Sequence, residues 1–235
     1  MKQAMIFAAG LGTRLRPLTN DRPKALVEVA GKTLLEHNIL KLRAAGFTRI
    51  VVNVHHFADQ IIQFLSAHDD FGLDIRVSDE RQQLLDTGGG IRHALPLFAP
   101  DEPILIHNVD IISDIDLRAF YDAHRGAATL AINQRQTQRY LMFDADHNLC
   151  GWTNIGSGEV KGRMGEKFAF AGIHVVSPQF CQLLANDPRE SFPIVPFYIS
   201  VCDQLSCQGY DVTGCAWVDC GKVESLTRAE EIALL

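Results

Sequence analysis

The chain has 235 residues, 47% apolar and 21% charged, the proportions of a soluble globular protein rather than of a disordered or fibrous one. Its 22 basic and 28 acidic side chains give a formal net charge of -6, which excludes a general polyanion binder, predicts no nucleic-acid partner and requires any phosphate site to be local. Six cysteines without a C-x-x-C pair point to neither a zinc site nor a disulfide framework, and no apolar run approaches membrane-spanning length.

The N-terminal MKQAMIFAAG is interrupted by glycine and then arginine, unlike a secretory leader, so a cytoplasmic protein with reduced thiols and no membrane partner is expected. Met5 to Ala9 is a short continuous apolar run, the pattern of a strand covered on both faces, and it ends in Gly10-Leu11-Gly12. Leu34 to Ala45 carries Leu34, Leu35, Ile39 and Leu42 at helical spacing, with Gly46 placed to stop the helix before the buried strand IVVNV. A helix over Ala58 to Ala67 and a strand through Leu73, Ile75 and Val77 repeat the unit. Gly90 to Leu97 predicts a short helix, and Pro103 to Val109 a strand that stops at Asp110.

From Ala127 onward, ATLAINQR, RYLMFD, HNLCGWTN and FAFAGIHVV predict strands joined by polar turns, with less helix between them. The expected fold is therefore α/β, a Rossmann-like mixed and mainly parallel sheet flanked by helices, with a more antiparallel second half. No linker composition and no fixed-period repeat divides the chain. The expectation is one domain over 1–235, with halves 1–110 and 111–235 and no C-terminal β-helix.

Chemistry concentrates first in the loop after the opening strand. In AMIFAAGLGTRLRPLTNDRPKAL, Gly10 and Gly12 permit tight turns with accessible amides, and Arg14, Arg16, Arg22 and Lys24 place four cations within eleven residues. Backbone N–H groups and fixed positive charge together make a phosphate cradle. A dinucleotide fingerprint does not fit, because Leu15 stands where its third glycine belongs and the second strand ends in His55 rather than an acid. A P-loop does not fit either, since Lys24 follows Gly10 by fourteen residues.

Three further places join it. Leu85-Asp86-Thr87-Gly88-Gly89-Gly90 sets glycines before a helix, where backbone donors and a close ligand approach are expected. Asp110 stands at a strand's C-terminal end, where open α/β sheets present ligand-binding residues, and its hard carboxylate suits Mg²⁺, with Asp114 and Asp116 as helpers. Ala216-Trp217-Val218-Asp219 is another apolar strand stopping at an acid. His55 and His56 have no nucleophile beside them and read as structural.

Gly10-Leu11-Gly12-Thr13-Arg14-Leu15-Arg16-Pro17-Leu18-Thr19 with Pro23-Lys24-Ala25-Leu26 resembles the signature of the sugar-phosphate nucleotidylyltransferases, whose fold is of the nucleotide-diphospho-sugar transferase type. The resemblance extends to Asp219 and implies roles. Ala9, Gly10, Gly12, Thr13 and Arg14 would hold a nucleoside triphosphate, with Gly88 and Gly89 along the base and ribose. Lys24 would join the α-phosphate to the incoming sugar phosphate, making Arg14 and Lys24 the catalytic pair.

Asp110 and Asp219 would bind the metal, Mg²⁺. Gly172, in the strand Phe170-Ala171-Gly172-Ile173-His174, would face the sugar, and Glu159 with Lys161 or Lys167 the sugar phosphate. The implied reaction is in-line attack of a sugar 1-phosphate on the α-phosphorus with release of pyrophosphate. Within the family the chain is most similar to short enzymes that use UTP and N-acetylmuramate 1-phosphate, although Asp86 stands where those carry glutamate. A mannose 1-phosphate guanylyltransferase is the alternative, a silent nucleotide-sugar sensor a reading of another class, and both monomer and homodimer stay open.

Overall fold

The computed structural model describes residues 1–234. Strand β1 (Lys2–Phe7) has apolar side chains on both faces: Ala4 and Ile6 enter one core, Met5 the other. A small hairpin of β2 (Glu28–Val29) and β3 (Lys32–Thr33) leads into α1 (Leu34–Ala44), which Thr33 caps by accepting the Glu36 N–H at 3.1 Å. Then follow β4 (Phe47–Val54), α2 (Ala58–Ala67), β5 (Asp74–Asp79), α3 (Asp86–Ala94) and β6 (Ile104–Asn108).

Strands β5, β4, β1 and β6 lie side by side in that order, all parallel. Residues alternate between two cores. Ile50, Val52 and Val54 of β4 pack with α1 and α2, whereas Val51 packs with Ile91 and Ala94 of α3 on the other face. Helices on both faces of a parallel sheet are the arrangement the alternating strand and helix patterns predict.

After β6 come β7 (Ile111–Ser113), α4 (Leu117–Asp122), β8 (Ala128–Asn133), β9 (Arg139–Phe143), β10 (Leu149–Asn154), β11 (Glu159–Gly162) and β12 (Glu166–Val176). The chain continues through α5 (Pro178–Ala185), α6 (Ile194–Val201), β13 (Cys207–Asp211), β14 (Trp217–Asp219) and α7 (Leu226–Ala233). Strand β12 joins the halves. Ile173 to Val176 pair antiparallel with β6, and Glu166 to Phe168 pair with β9, which carries β10 and β11 outward. The expected antiparallel character of the second half is present in these strands, while β13 runs parallel to β8.

Several boundaries differ from expectation. Strand β1 ends at Phe7, because the Ala8 and Ala9 N–H groups donate to Asn53 Oδ1 at 2.7 and 3.3 Å instead of to a neighbouring strand. Helix α3 begins at Asp86, so the three glycines lie inside it rather than before it, and Leu95–Leu97 is a separate 3-10 turn. Helix α6, IVPFYISV, is apolar around its circumference and carries no helical signature, and β11 is a polar, exposed strand without alternation. No helix among the described residues is long and apolar enough to cross a membrane.

Candidate active site

A cavity of about 570 Å³ opens at the C-terminal ends of β1, β4 and β6, lined by Ala8 to Arg14, Asn53 and Asn108 to Asp110. This is where a sheet of parallel strands exposes loop backbone to a ligand. Gly12 takes φ +64° there, and a Cβ on it would stand 3.1 Å from both Lys24 Cβ and Thr19 Cγ2. Only glycine meets both the conformation and the packing. Thr19 Oγ1 donates to Gly12 O at 2.8 Å, and Leu15 anchors the loop in the core, fully buried.

Lys24 is 8% exposed and its Nζ hydrogen-bonds Asp110 Oδ2. Asp110 lies two residues beyond the end of β6, and its backbone carbonyl accepts the Cys220 N–H at 2.8 Å, which ties this stretch to the segment after β14. Asp219 closes β14 and accepts the Gly221 N–H at 2.7 Å. Burial, and then the like charge of Asp110, push the Asp219 carboxyl above the usual carboxylate range, while Lys24 and Arg14 oppose them. Arg14 lies across Gly221, where a Cβ would come within 2.7 Å of its Nη2. The fold thus brings Arg14, Lys24, Asp110 and Asp219 to one place.

Other expected residues fall elsewhere. Asp116 caps α4 by accepting the Ala119 N–H at 2.9 Å, and Asp114 faces Lys41, so neither helps Asp110. Arg16 and Arg22 do not line the cavity, and Arg22 pairs with Asp21 at 3.3 Å. Gly88 and Gly89 are buried, and both N–H groups donate to Phe192 O, at 2.8 and 3.2 Å. The expected free amides are therefore already used; Asp86 and Thr87 are what α3 presents to the cavity.

Gly172, at φ +78°, sits where the pairing of β12 with β8 shifts register, and a Cβ there would stand 2.8 Å from Asn108 Nδ2. Glu159 and Lys161 pair with each other at 3.2 Å on exposed β11; Lys161 lines a second cavity, and Lys167 lines neither.

Two residues of the site carry no motif. Buried Glu80 accepts Asn53 Nδ2–H at 2.7 Å and the Leu85 N–H at 3.1 Å, and Asn53 in turn holds the Ala8 and Ala9 amides. Burial raises the Glu80 pKa, opposed by the Asn53 hydrogen bond. The one sequence signal was a polar residue within the apolar strand IVVNV.

Known proteins resemble this chain over most of its length. N-acetylmuramate alpha-1-phosphate uridylyltransferase of Caulobacter vibrioides is 39% identical over 212 residues, 84% of this chain and 83% of that protein. Mannose-1-phosphate guanyltransferase of Kluyveromyces lactis is 30% identical, covering 94% of this chain and 61% of its own length. The crystal structure of HddC from Yersinia pseudotuberculosis complexed with GMP-PN shares the fold, with a TM-score of 0.78 at 22% identity, over 98% of this chain and 99% of that one. Residues 3–234 match the Nucleotidyl transferase family, and the chain belongs to that family.

Proposed function

We propose that this protein joins a nucleoside triphosphate to a sugar 1-phosphate, releasing pyrophosphate, with UTP and N-acetylmuramate 1-phosphate as its substrate pair. The observation that carries the reading is Lys24 hydrogen-bonded to Asp110 in the cavity that also contains the Ala8 to Arg14 loop. The printed activity of the Caulobacter relative supplies the substrates. The whole chain is taken as one nucleotidyltransferase domain, with nucleotide chemistry in 1–110 and sugar phosphate chemistry in 111–235, acting in the cytoplasm.

In this reading the amides of Gly10, Gly12 and Thr13 hold the triphosphate, the expected Ala9 amide being already engaged by Asn53, and Arg14 carries positive charge to its outer phosphates. Gly88 and Gly89 act by letting the segment from Glu190 to Phe192 close over α3, and Asp86 and Thr87 then border the nucleoside. Lys24 lies between the two reacting phosphates and stabilises charge that builds on the α-phosphorus oxygens. A sugar phosphate oxygen is already ionised, so no general base is required. Gly172 acts by letting Asn108 pack closely against β12 on the sugar's side of the site, and Lys161 with Glu159 borders the sugar's far side.

Asp110 and Asp219 fit a hard divalent cation. They are two oxygen-donor groups, the charge of Asp110 adds to the cost of ionising Asp219, and Lys24 engages one Asp110 oxygen only. We assign Mg²⁺ to this pair; bound there, it would neutralise phosphate charge that otherwise repels the second anionic substrate.

The Kluyveromyces relative favours a second reading, GTP with mannose 1-phosphate. Pyrophosphate release from four triphosphates, each with N-acetylmuramate 1-phosphate and mannose 1-phosphate, separates the two. Release only with UTP and the muramate supports the first, and no release from any pair overturns the assignment in favour of a silent sensor.

A further inference from the structure

A second cavity of about 410 Å³ lies between β9, β10, β11, β12 and α6. Three cations line it, Arg135, Arg139 and Lys161, together with the rings of Tyr140, Trp152 and Phe170. Lys161 is paired with Glu159, which leaves Arg135 and Arg139 as the cations that make this aromatic-walled cavity a local anion site in a chain of net charge -6.

Arg135 connects this cavity to the carboxylate centre. Its guanidinium stacks 4.6 Å over the Trp217 ring, two residues from Asp219, and Nη2 donates to Phe170 O at 2.9 Å. Burial lowers the Arg135 pKa, and the Asp219 carboxylate opposes this. Its Nε–H is buried and has no hydrogen-bond partner. A buried donor without an acceptor is costly, and a ligand oxygen would satisfy it. Lys161 Nζ stands 5.6 Å from the Trp152 ring, and Arg139 is exposed on the cavity wall.

A neutral hexose needs no such set of charges. A planar carboxylate does, because a guanidinium donates to it through two parallel N–H groups. We propose that this cavity is the subsite for a second anionic group on the sugar, so that the enzyme selects a hexose 1-phosphate bearing a carboxylate through Arg135 and Arg139, with the ring against Trp152. The inference rests on the sugar 1-phosphate reaction proposed above. It separates an acidic sugar such as N-acetylmuramate, whose lactyl ether ends in a carboxylate, from N-acetylglucosamine, the same ring without it.

The test compares kcat/KM for N-acetylmuramate 1-phosphate and N-acetylglucosamine 1-phosphate with UTP, in the wild type and in Arg135→Gln and Arg139→Gln. In parallel, ligand-observed NMR measures binding of the phosphate-free sugars N-acetylmuramate and N-acetylglucosamine. The expected wild-type preference for the acidic sugar is at least about 100-fold, because a site built for a polar group rejects the analogue lacking it. Each substitution lowers that ratio by at least about tenfold and weakens N-acetylmuramate binding.

Equal use of both sugars by the wild type, or a ratio that neither substitution moves, overturns the inference while leaving the reaction standing. If no pair releases pyrophosphate, the reaction falls and the binding arm decides: saturable binding of N-acetylmuramate alone, weakened by Arg139→Gln, upholds the cavity's role, and any other result overturns it. Arg139 is exposed, so its variant decides the matter should Arg135→Gln fail to fold.

Discussion

Lys24 and Asp110, separated by 86 positions, form a hydrogen-bonded ion pair inside the larger cavity, with the Asp219 carboxylate close enough to feel both charges. Removing either partner leaves a poorly solvated charge uncompensated. Lys24→Met and Asp110→Asn each lose at least about 100-fold in pyrophosphate release. Each also loses on the order of 2 kcal/mol of stability. In urea unfolding the double variant is less destabilised than the sum of the singles; strict additivity would show that the pair is not coupled.

Glu80 sets the start of the Gly10–Gly12 loop through Asn53, which holds the Ala8 and Ala9 amides. Glu80→Ala leaves Asn53 Nδ2 and the Leu85 N–H without their acceptor, at a cost of about 1–3 kcal/mol. It raises KM for the triphosphate more than it lowers kcat. Glu80→Gln keeps one acceptor oxygen and falls between alanine and wild type. An unchanged KM in the alanine variant would remove Glu80 from the nucleotide site.

Gly88→Ala sets two effects against each other. Alanine gains about 1 kcal/mol of helix propensity over glycine. A Cβ at this position would stand 2.3 Å from a ring carbon of Phe192 and 2.9 Å from its carbonyl oxygen. Overpacking of this kind costs about 1–3 kcal/mol, so packing wins and the melting temperature falls. A rise in Tm would mean that the segment carrying Phe192 yields freely.

Acid weakens the fold in a defined window. Burial holds His107 down to about 4 and His174 to about 3, and His174 hydrogen-bonds the Tyr198 hydroxyl. Above the ordinary imidazole value of 6.5 both states are neutral and the full stability is present. As pH falls below it, the unfolded chain takes up protons that the native state refuses, and stability drops toward the folded values. The slope is roughly 1 kcal/mol per pH unit for each imidazole. Urea unfolding at pH 7.5, 6.0 and 5.0 reads this before most carboxylates titrate, and a flat profile would contradict it.

How much of this was legible in the sequence depends on where each signal is stored. The parallel strands and α1 and α2 are written in local apolar periodicity, and Asp110 and Asp219 stand out because each interrupts an apolar strand at its end. Gly12 and Lys24 belong to one contiguous motif whose partner lies far along the chain. The Glu80–Asn53 linkage is invisible locally, because its meaning is a tertiary hydrogen bond between two strand ends. Gly88 and Gly89 were legible as special, although the reason is the segment from Glu190 to Phe192 packed on them rather than free amides toward a ligand. Arg135 lies in an ordinary polar turn, and only the packing of Trp217 and Phe170 around it reveals its position.

If one cavity joins two phosphates through Lys24 and Asp110, the decisive measurement is the stoichiometry of pyrophosphate released from UTP by the wild type, with and without N-acetylmuramate 1-phosphate, in magnesium and after chelation. The expected result is one pyrophosphate for each UDP-sugar formed, none without the sugar phosphate and none without magnesium. Phosphate or pyrophosphate released from UTP alone, or product formed undiminished by Asp110→Asn, would contradict it.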